Sequence, residues 1–351
     1  MGTVHAMLLS EGNEHYGALS SAKGRPSVHT LITSNGSPYQ NYQSRILHSN
    51  WQLMSERPDG RHLVAFTRVL HRTQPDFLMT EIPTFLAKPN HPECDGWCEY
   101  PVADRASAVQ EFFEATKKDP GMLKADWIYM VESDYVFAVP PALPAPLAPG
   151  LRGWAYEFNY IFPEHEAVAM RKLYPESRGP LSDIPPSGPA PVLLRTEDWI
   201  KVVPDWVAFT EAIERDPETV KALGWVREMY AFSVALANQR VKVDLTPHPH
   251  SPLIVHLPGH KERGDAHAFH YTLCTIYRDK QEKVVWQYDK RFFSSDEDAW
   301  NPKPIPQPPK FQEGAWNFIE GPPVTKDVHE AIVEMVQRIN EAIARLPDRT
   351  P

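Results

Sequence analysis

A strand, helix, strand, helix, strand order over residues 28–131 predicts an α/β fold with a largely parallel sheet. Two helical periodicities and one uninterrupted apolar run carry that prediction. Val28 to Ile32 (VHTLI) is apolar and β-prone, and it runs into the turn cluster Thr33-Ser34-Asn35-Gly36-Ser37-Pro38. Tyr42, Ile46, Leu47, Trp51 and Leu53 then recur close to the 3.6-residue period of a helix. Residues 62–70 (HLVAFTRVL) alternate as a second strand does. Pro101 to Lys117 gives another amphipathic helix, with Ala106, Val109, Phe112 and Phe113 on or near one face. Trp127 to Val131 (WIYMV) is apolar throughout, the pattern of a strand covered on both sides. Strands and helices alternating at this spacing build βαβ units, and hence parallel pairing.

The second half is less regular. Proline clusters at 140–149, 180–191 and 302–309 predict stiff extended connectors. Between them, 163–174 and 220–238 have helical patterns. Residues 324–346 carry the clearest helix, with Val328, Ile332, Met335, Val336, Ile339, Ile343 and Leu346 in one apolar stripe. The expected organisation is a flexible leader at 1–25, a main domain at 26–300, and a Pro-rich extension with its final helix at 301–351 packed on the same domain.

Composition narrows the function. The chain has 351 residues, and 36 Lys and Arg against 45 Asp and Glu leave a net charge of −9, which argues against a nucleic-acid binder working through a basic face. The same charge suits a basic acceptor. A hydrophobic share of 42% excludes global disorder, while 36 prolines are about twice the usual share and predict long irregular connections. Three cysteines, Cys94, Cys98 and Cys274, cannot form a disulfide framework, but leave room for one bridge and a free thiol. There is no apolar run of about 18 residues, and the opening MGTVHAMLLSEGNEH is a poor signal peptide. The expectation is a cytosolic protein or a chain without its anchor.

Chemistry concentrates in WIYMVESDYVF (127–137). In open parallel sheets, ligands bind beyond the carboxyl ends of the strands. Glu132 and Asp134, one residue apart at such an end, suit a hard divalent cation that shares oxygen ligands with a diphosphate; the plain alternative is an acidic turn. Six histidines between His248 and His270 raise a zinc site, with Cys94 and Cys98 as further ligands, but their spacing matches no known zinc pattern and most read as surface-loop residues. His270 differs because it sits in an apolar strand-like stretch. Glu228, among aromatics early in a helical run, is a candidate acid/base or an ordinary helix glutamate. Arg45 and Arg68 stand near turns where anions are held, or are surface charges. The sequence has no GxGxxG after its first strand, no GxxxxGK[ST] and no GxSxG, so dinucleotide enzymes, P-loop ATPases and α/β-hydrolases lose weight. A sugar-nucleotide enzyme needs none of these.

Several segments together resemble the plant and green-algal hydroxyproline O-arabinosyltransferases: 28–46 (VHTLITSNGSPYQNYQSRI), 66–85 (FTRVLHRTQPDFLMTEIPTF), 127–137, 173–194 (LYPESRGPLSDIPPSGPAPVLL), 216–235 (DPETVKALGWVREMYAFSVA), 269–273 (FHYTL) and 287–291 (QYDKR). A related family, the peptidyl-serine galactosyltransferases, shares the opening pattern and the acid-x-Asp element. The resemblance implies a GT-A-type glycosyltransferase fold, a Rossmann-like mostly parallel sheet flanked by helices. It implies UDP-β-L-arabinofuranose as donor and Mn²⁺ (or Mg²⁺) as cofactor. The acceptor it implies is peptidyl 4-hydroxyproline in extensin-like cell-wall glycoproteins, held as a polyproline II helix. It also implies a Golgi-lumen enzyme, the chain then lacking its membrane anchor. The family triplet usually reads Glu-Pro-Asp-His, and here it is Glu132-Ser133-Asp134-Tyr135, so both acids are kept.

Residue by residue, the resemblance makes Asp134 a direct metal ligand, Glu132 a direct or water-mediated one, and His270 the histidine that such folds lend to the same ion. Thr33, Ser34, Gln43 and Arg45 are expected at uridine and phosphate, with Arg68 on the neighbouring strand and Lys290 reaching the diphosphate. Transfer with retention makes Glu228 a nucleophile, or the group that orients the hydroxyl or steadies positive charge. Trp154, Tyr156, Trp225 and Tyr230 are expected to line the acceptor groove. The alternatives are a peptidyl-serine galactosyltransferase using UDP-galactose, a non-enzymatic binder of Pro-rich peptides, and a zinc protein. Asn35-Gly36-Ser37 is a glycosylation sequon expected to stay bare, because it falls in the nucleotide loop.

Overall fold

A computed structural model describes residues 26–347, except 97, 142, 144, 145 and 273; the expected leader at 1–25 lies outside the described residues. The chain begins β1 (Val28–Ser34), α1 (Pro38–Glu56), β2 (Leu63–His71), β3 (Thr84–Ala87), α2 (Arg105–Lys118), β4 (Trp127–Val131), β5 (Tyr135–Phe137) and β6 (Gly153–Ala155). It continues α3 (Ala167–Leu173), β7 (Val192–Arg195), α4 (Thr196–Glu214), α5 (Pro217–Leu223), α6 (Arg227–Asn238) and β8 (Val243–Asp244). The last third holds β9 (Ile254–His256), β10 (Ala268–His270), β11 (Cys274–Arg278), β12 (Val284–Asp289), α7 (Asp296–Trp300), β13 (Asn317–Phe318) and α8 (Lys326–Arg345).

The central sheet has the order β3-β2-β1-β4-β7-β6-β8. Its first four strands are mutually parallel, while β7 runs against both β4 and β6. All five residues of β4 are buried, as expected of an apolar strand with neighbours on both edges and cover on both faces. Two small sheets, β5-β10-β9 and β12-β11-β13, extend the molecule beyond the end of β4.

The differences from the predicted elements have local causes. The helical pattern over 220–238 is two helices, α5 and α6, because Gly224 adopts φ +57°, a conformation that ends a helix and suits glycine. The helix predicted from Pro163 starts at Ala167, and that predicted from Pro101 starts at Arg105. The sequence reading passes over α4, a 19-residue helix with Pro204 inside it. Its buried Trp199, Val202, Val203, Trp206 and Ile213 keep the helical period, so tertiary burial overrides the proline.

The C-terminal helix α8 lies on α1 and buries Val328, Ile332, Met335, Val336, Ile339 and Ile343 in a second apolar cluster with Tyr42 and Ile46. Arg45 fastens this layer. Its side chain is fully buried, its Nε donates to Glu81 at 2.7 Å, and its guanidinium also donates to the carbonyls of Ala299, Trp300 and Pro347. Arg45→Met leaves Glu81 and three carbonyls without this donor. It is expected to lower stability by about 3–5 kcal/mol, read as a shift of the urea midpoint at constant m; a loss below about 1 kcal/mol would show that the latch is not needed.

Candidate active site

The site forms where the parallel strands end. Val131 at the end of β4 pairs with Ile32 of β1, so the Glu132-Ser133-Asp134 turn lies beside the turn that follows β1. In that neighbouring turn Gly36 takes φ +72°, and its carbonyl accepts from Arg72 and Asn41. Asn35 is 9% exposed, and its Oδ1 accepts the Ser37 N–H. Ser133 donates to Gln43 Oε1 at 3.1 Å, which ties the acidic turn to α1.

Strand pairing then brings distant histidines to Asp134. The β5 strand follows Asp134 directly and runs antiparallel to β10, with Tyr135 opposite His270. On the other edge of β10, His270 lies opposite His256 of β9. His270 Nε2 donates to Asp134 Oδ2 at 3.1 Å, and His270 Nδ1 lies 3.0 Å from His256 Nε2. Lys290, just after β12, donates to the same Asp134 oxygen. Burial works to raise the Asp134 pKa, but His270 and Lys290 outweigh it and hold the carboxyl well below the usual range. Burial likewise disfavours the Lys290 ammonium, yet Asp134 and Tyr39 keep its pKa above the ordinary value.

Beside this pair stands a second, opposite arrangement. Arg105, the first residue of α2, donates through one nitrogen to Glu132 and through another to Glu228, each at 2.8 Å. Glu228 lies in the first turn of α6, and its backbone N–H donates to the Tyr100 hydroxyl at 3.2 Å. Its carboxyl is buried, which pushes its pKa up to about 7; Arg105 opposes this rise and Glu132 adds to it. Glu228 Oε2 and Gln43 Nε2 are buried and have no hydrogen-bond partner among the described residues. Unsatisfied buried polar atoms of this kind are unusual, and these suit bound substrate.

The structure therefore brings Glu132, Asp134, His270, Lys290, Glu228 and Gln43 to one place. Thr33 and Ser34 lie at the end of β1 beside it, with the Ser34 hydroxyl accepting the Gly36 N–H at 3.1 Å. Two expected anion holders need correction. Arg45 is the latch described above, and Arg68 is fully buried in a bidentate pair with Asp76, with Asn41 and Thr84 as further partners. In both, structural partners already hold the guanidinium. Trp154 is also corrected: it is 6% exposed and packs on Trp127 in the core. Tyr230 is buried, and its hydroxyl accepts the Phe162 N–H. Trp225 is 61% exposed with its ring edge-on to Tyr100, and Tyr156 stacks on His256 at 5.1 Å.

Sequence reasoning missed Arg105 and misjudged His256, which is a strand residue and not a loop one. Nothing local to Arg105 marks it, since its partners lie 27 and 123 residues away. Cys94 and Cys98 form a disulfide with each other, which removes them as zinc ligands. Among the described residues no group of three or more His, Cys, Asp or Glu side chains is set to hold a metal ion. Asp134 and His270 nonetheless fit a cation chemically. They offer an oxygen and an imidazole in contact, and ions of the Mg²⁺ type take one or two protein ligands and complete their shell with phosphate oxygens and water. Glu132 accepts from Arg105 through one oxygen.

This arrangement is a charged ligand site at the carboxyl ends of the parallel strands of an α/β protein. The model of the hydroxyproline O-arabinosyltransferase family N-terminal domain matches residues 28–245, and the chain belongs to that family. It is 34% identical to hydroxyproline O-arabinosyltransferase 1 of Arabidopsis thaliana over 91% of this chain and 80% of that one. It is 32% identical to hydroxyproline O-arabinosyltransferase PLENTY of Lotus japonicus over 94% and 83% respectively. Among solved structures, apo mouse xyloside xylosyltransferase 1 is similar at a TM-score of 0.38 and 12% identity, over 70% of this chain and 98% of that one.

Proposed function

We propose that this protein transfers L-arabinofuranose from UDP-β-L-arabinofuranose to the hydroxyl of peptidyl 4-hydroxyproline in extensin-like cell-wall polypeptides, with retention and with Mn²⁺ or Mg²⁺. The observation that carries the reading is the pairing of the Asp134–His270–Lys290 cluster with the Arg105-held Glu228 across one site. Family membership supplies the sugar and the acceptor.

Asp134 and His270 would hold the cation, which when bound neutralises charge on the departing diphosphate. Lys290 brings an ammonium to the same place, and Gln43 Nε2 offers a free donor to the nucleotide. During transfer the bond from the anomeric carbon to the phosphate oxygen breaks and UDP leaves. The hydroxyproline oxygen bonds to that carbon from the same face, and its proton passes to the β-phosphate of UDP. Ionised Glu228, with Oε2 free, faces the positive charge that develops on the sugar ring. Arg105 keeps the carboxylate oriented and offsets part of its burial.

The Cys94–Cys98 disulfide supports an oxidising lumen, consistent with the Golgi. Among the described residues no helix is long and apolar enough to cross a membrane.

The test is calorimetric titration with UDP, with and without Mn²⁺, followed by transfer to a hydroxyproline peptide from UDP-arabinofuranose and from UDP-galactose. Binding that needs Mn²⁺, and transfer of arabinose only, are expected. Metal-independent UDP binding would remove the cation from the proposal, and transfer of galactose to serine peptides would replace the sugar and acceptor.

A further inference from the structure

A cavity of about 770 Å³ opens beside the site, within the size range of ligand pockets. One side is lined by Tyr156, Phe158 and Phe162, which belong to a run with an aromatic at every second residue from Trp154 to Phe162. Exposure rises along it, from 3–6% for the first three rings to 43% for Tyr160 and 45% for Phe162, so the run leaves the core and ends at the surface. Neighbouring rings touch: Tyr156 and Phe158 lie 4.9 Å apart, and Phe158 and Tyr160 5.2 Å. The lining also includes Pro247 and the stacked rings of His248 and His260, 4.0 Å apart.

One chain of contacts joins this groove to the catalytic centre. His256 lines it and contacts His270, which contacts Asp134. At the rim, Glu157 and Glu164 are exposed, with no ion-pair partner among the described residues.

Resting on the transferase reading above, we propose that this groove is the acceptor subsite, seating an extended Pro-rich segment that carries a lysine or arginine. Flat aromatic faces pack on pyrrolidine rings, and a polyproline II helix meets them without losing much conformational freedom. The rim carboxylates Glu157 and Glu164 take the basic side chain. The hydroxyproline then reaches the catalytic centre beside His256. Of the four aromatics expected from the sequence to bind the acceptor, only Tyr156 lines this groove; Phe158 and Phe162 take the place of the others.

The test measures calorimetric affinity for a hydroxyproline-rich peptide containing lysine, and for the same peptide with glutamate in its place, alongside UDP affinity as a check on folding. Phe162→Ala is expected to weaken the lysine peptide about ten-fold and to leave UDP affinity unchanged. Glu164→Lys, a surface exchange that carries the test if Phe162→Ala fails to fold, is expected to abolish the preference for lysine over glutamate. Failure of the wild type to bind either peptide, or wild-type peptide affinity in both variants, overturns the subsite. Arabinose transfer with an unchanged peptide KM in both variants also overturns it and leaves the transferase standing. Peptide binding that Phe162→Ala weakens, without any transfer, keeps the subsite and sinks the transferase.

Discussion

Asp134→Ala is expected to lose Mn²⁺-dependent UDP binding and to cut arabinose transfer about a thousand-fold, because leaving-group stabilisation is worth several kcal/mol and each ~1.4 kcal/mol is tenfold in rate. The substitution has a second consequence. Lys290 is 7% exposed at its side chain and would lose its carboxylate partner in the interior. Breaking a buried pair by removing one member costs about 3–5 kcal/mol. Asp134→Ala combined with Lys290→Met should therefore recover much of the stability lost in the single variant while remaining inactive. Urea unfolding and UDP titration on both proteins separate the two effects. UDP binding that survives in Asp134→Ala with its Mn²⁺ dependence intact would move the cation elsewhere. The acid dependence has a defined sign. The Asp134 pKa is depressed in the folded protein, so the pair's contribution is complete above the ordinary carboxyl value of 3.8 and is lost as the pH falls below it.

Glu228→Gln is the second large effect, with a loss of about a thousand-fold in transfer and little change in UDP affinity. Glutamine keeps an oxygen for Arg105 and removes only the charge. The pH profile identifies the role. Burial raises the Glu228 pKa to about 7, so in wild type the active ionised form is depleted below that pH and the transfer rate climbs as pH rises through it. The residual activity of Glu228→Gln should lack that limb. A falling limb in wild type would instead make Glu228 a proton donor. Stability runs the opposite way: a carboxyl whose folded pKa lies above 4.5 stabilises most fully below that value, and its contribution falls as pH rises from there through about 7. Glu228→Gln removes this slope from the unfolding curve.

The legible parts of the molecule are those in which neighbours in sequence determine the outcome. The run WIYMV could only be a covered strand, and a strand of that kind in an α/β chain ends at a ligand site. That logic points to the Glu132-Ser133-Asp134 turn that follows β4. The stripe of 324–346 gave its helix for the same reason, and α4 carries an equally regular stripe that Pro204 obscures. Arg45 and Arg68 show the reverse. Their local setting after a strand or turn is that of an anion holder, but Glu81 and Asp76, distant by 36 and 8 residues, claim them as structural pairs.

The sequence by itself determined the alternation of strands and helices, the acidic turn at the end of β4, and the family to which the segments belong, because each is written in local periodicity or in contiguous motifs. Only the tertiary structure decided which side chains meet there. His270 reaches Asp134 across 136 residues, Lys290 across 156, and Arg105 reaches Glu228 across 123. Those distances are closed by the pairing of β5 with β10, by the return of β12, and by the packing of both α2 and α6 on α4. Burial then sets the charges: the same folding that leaves Asp134 ionised between two cationic partners pushes Glu228 toward neutrality, a distinction that two carboxylates in a sequence do not carry.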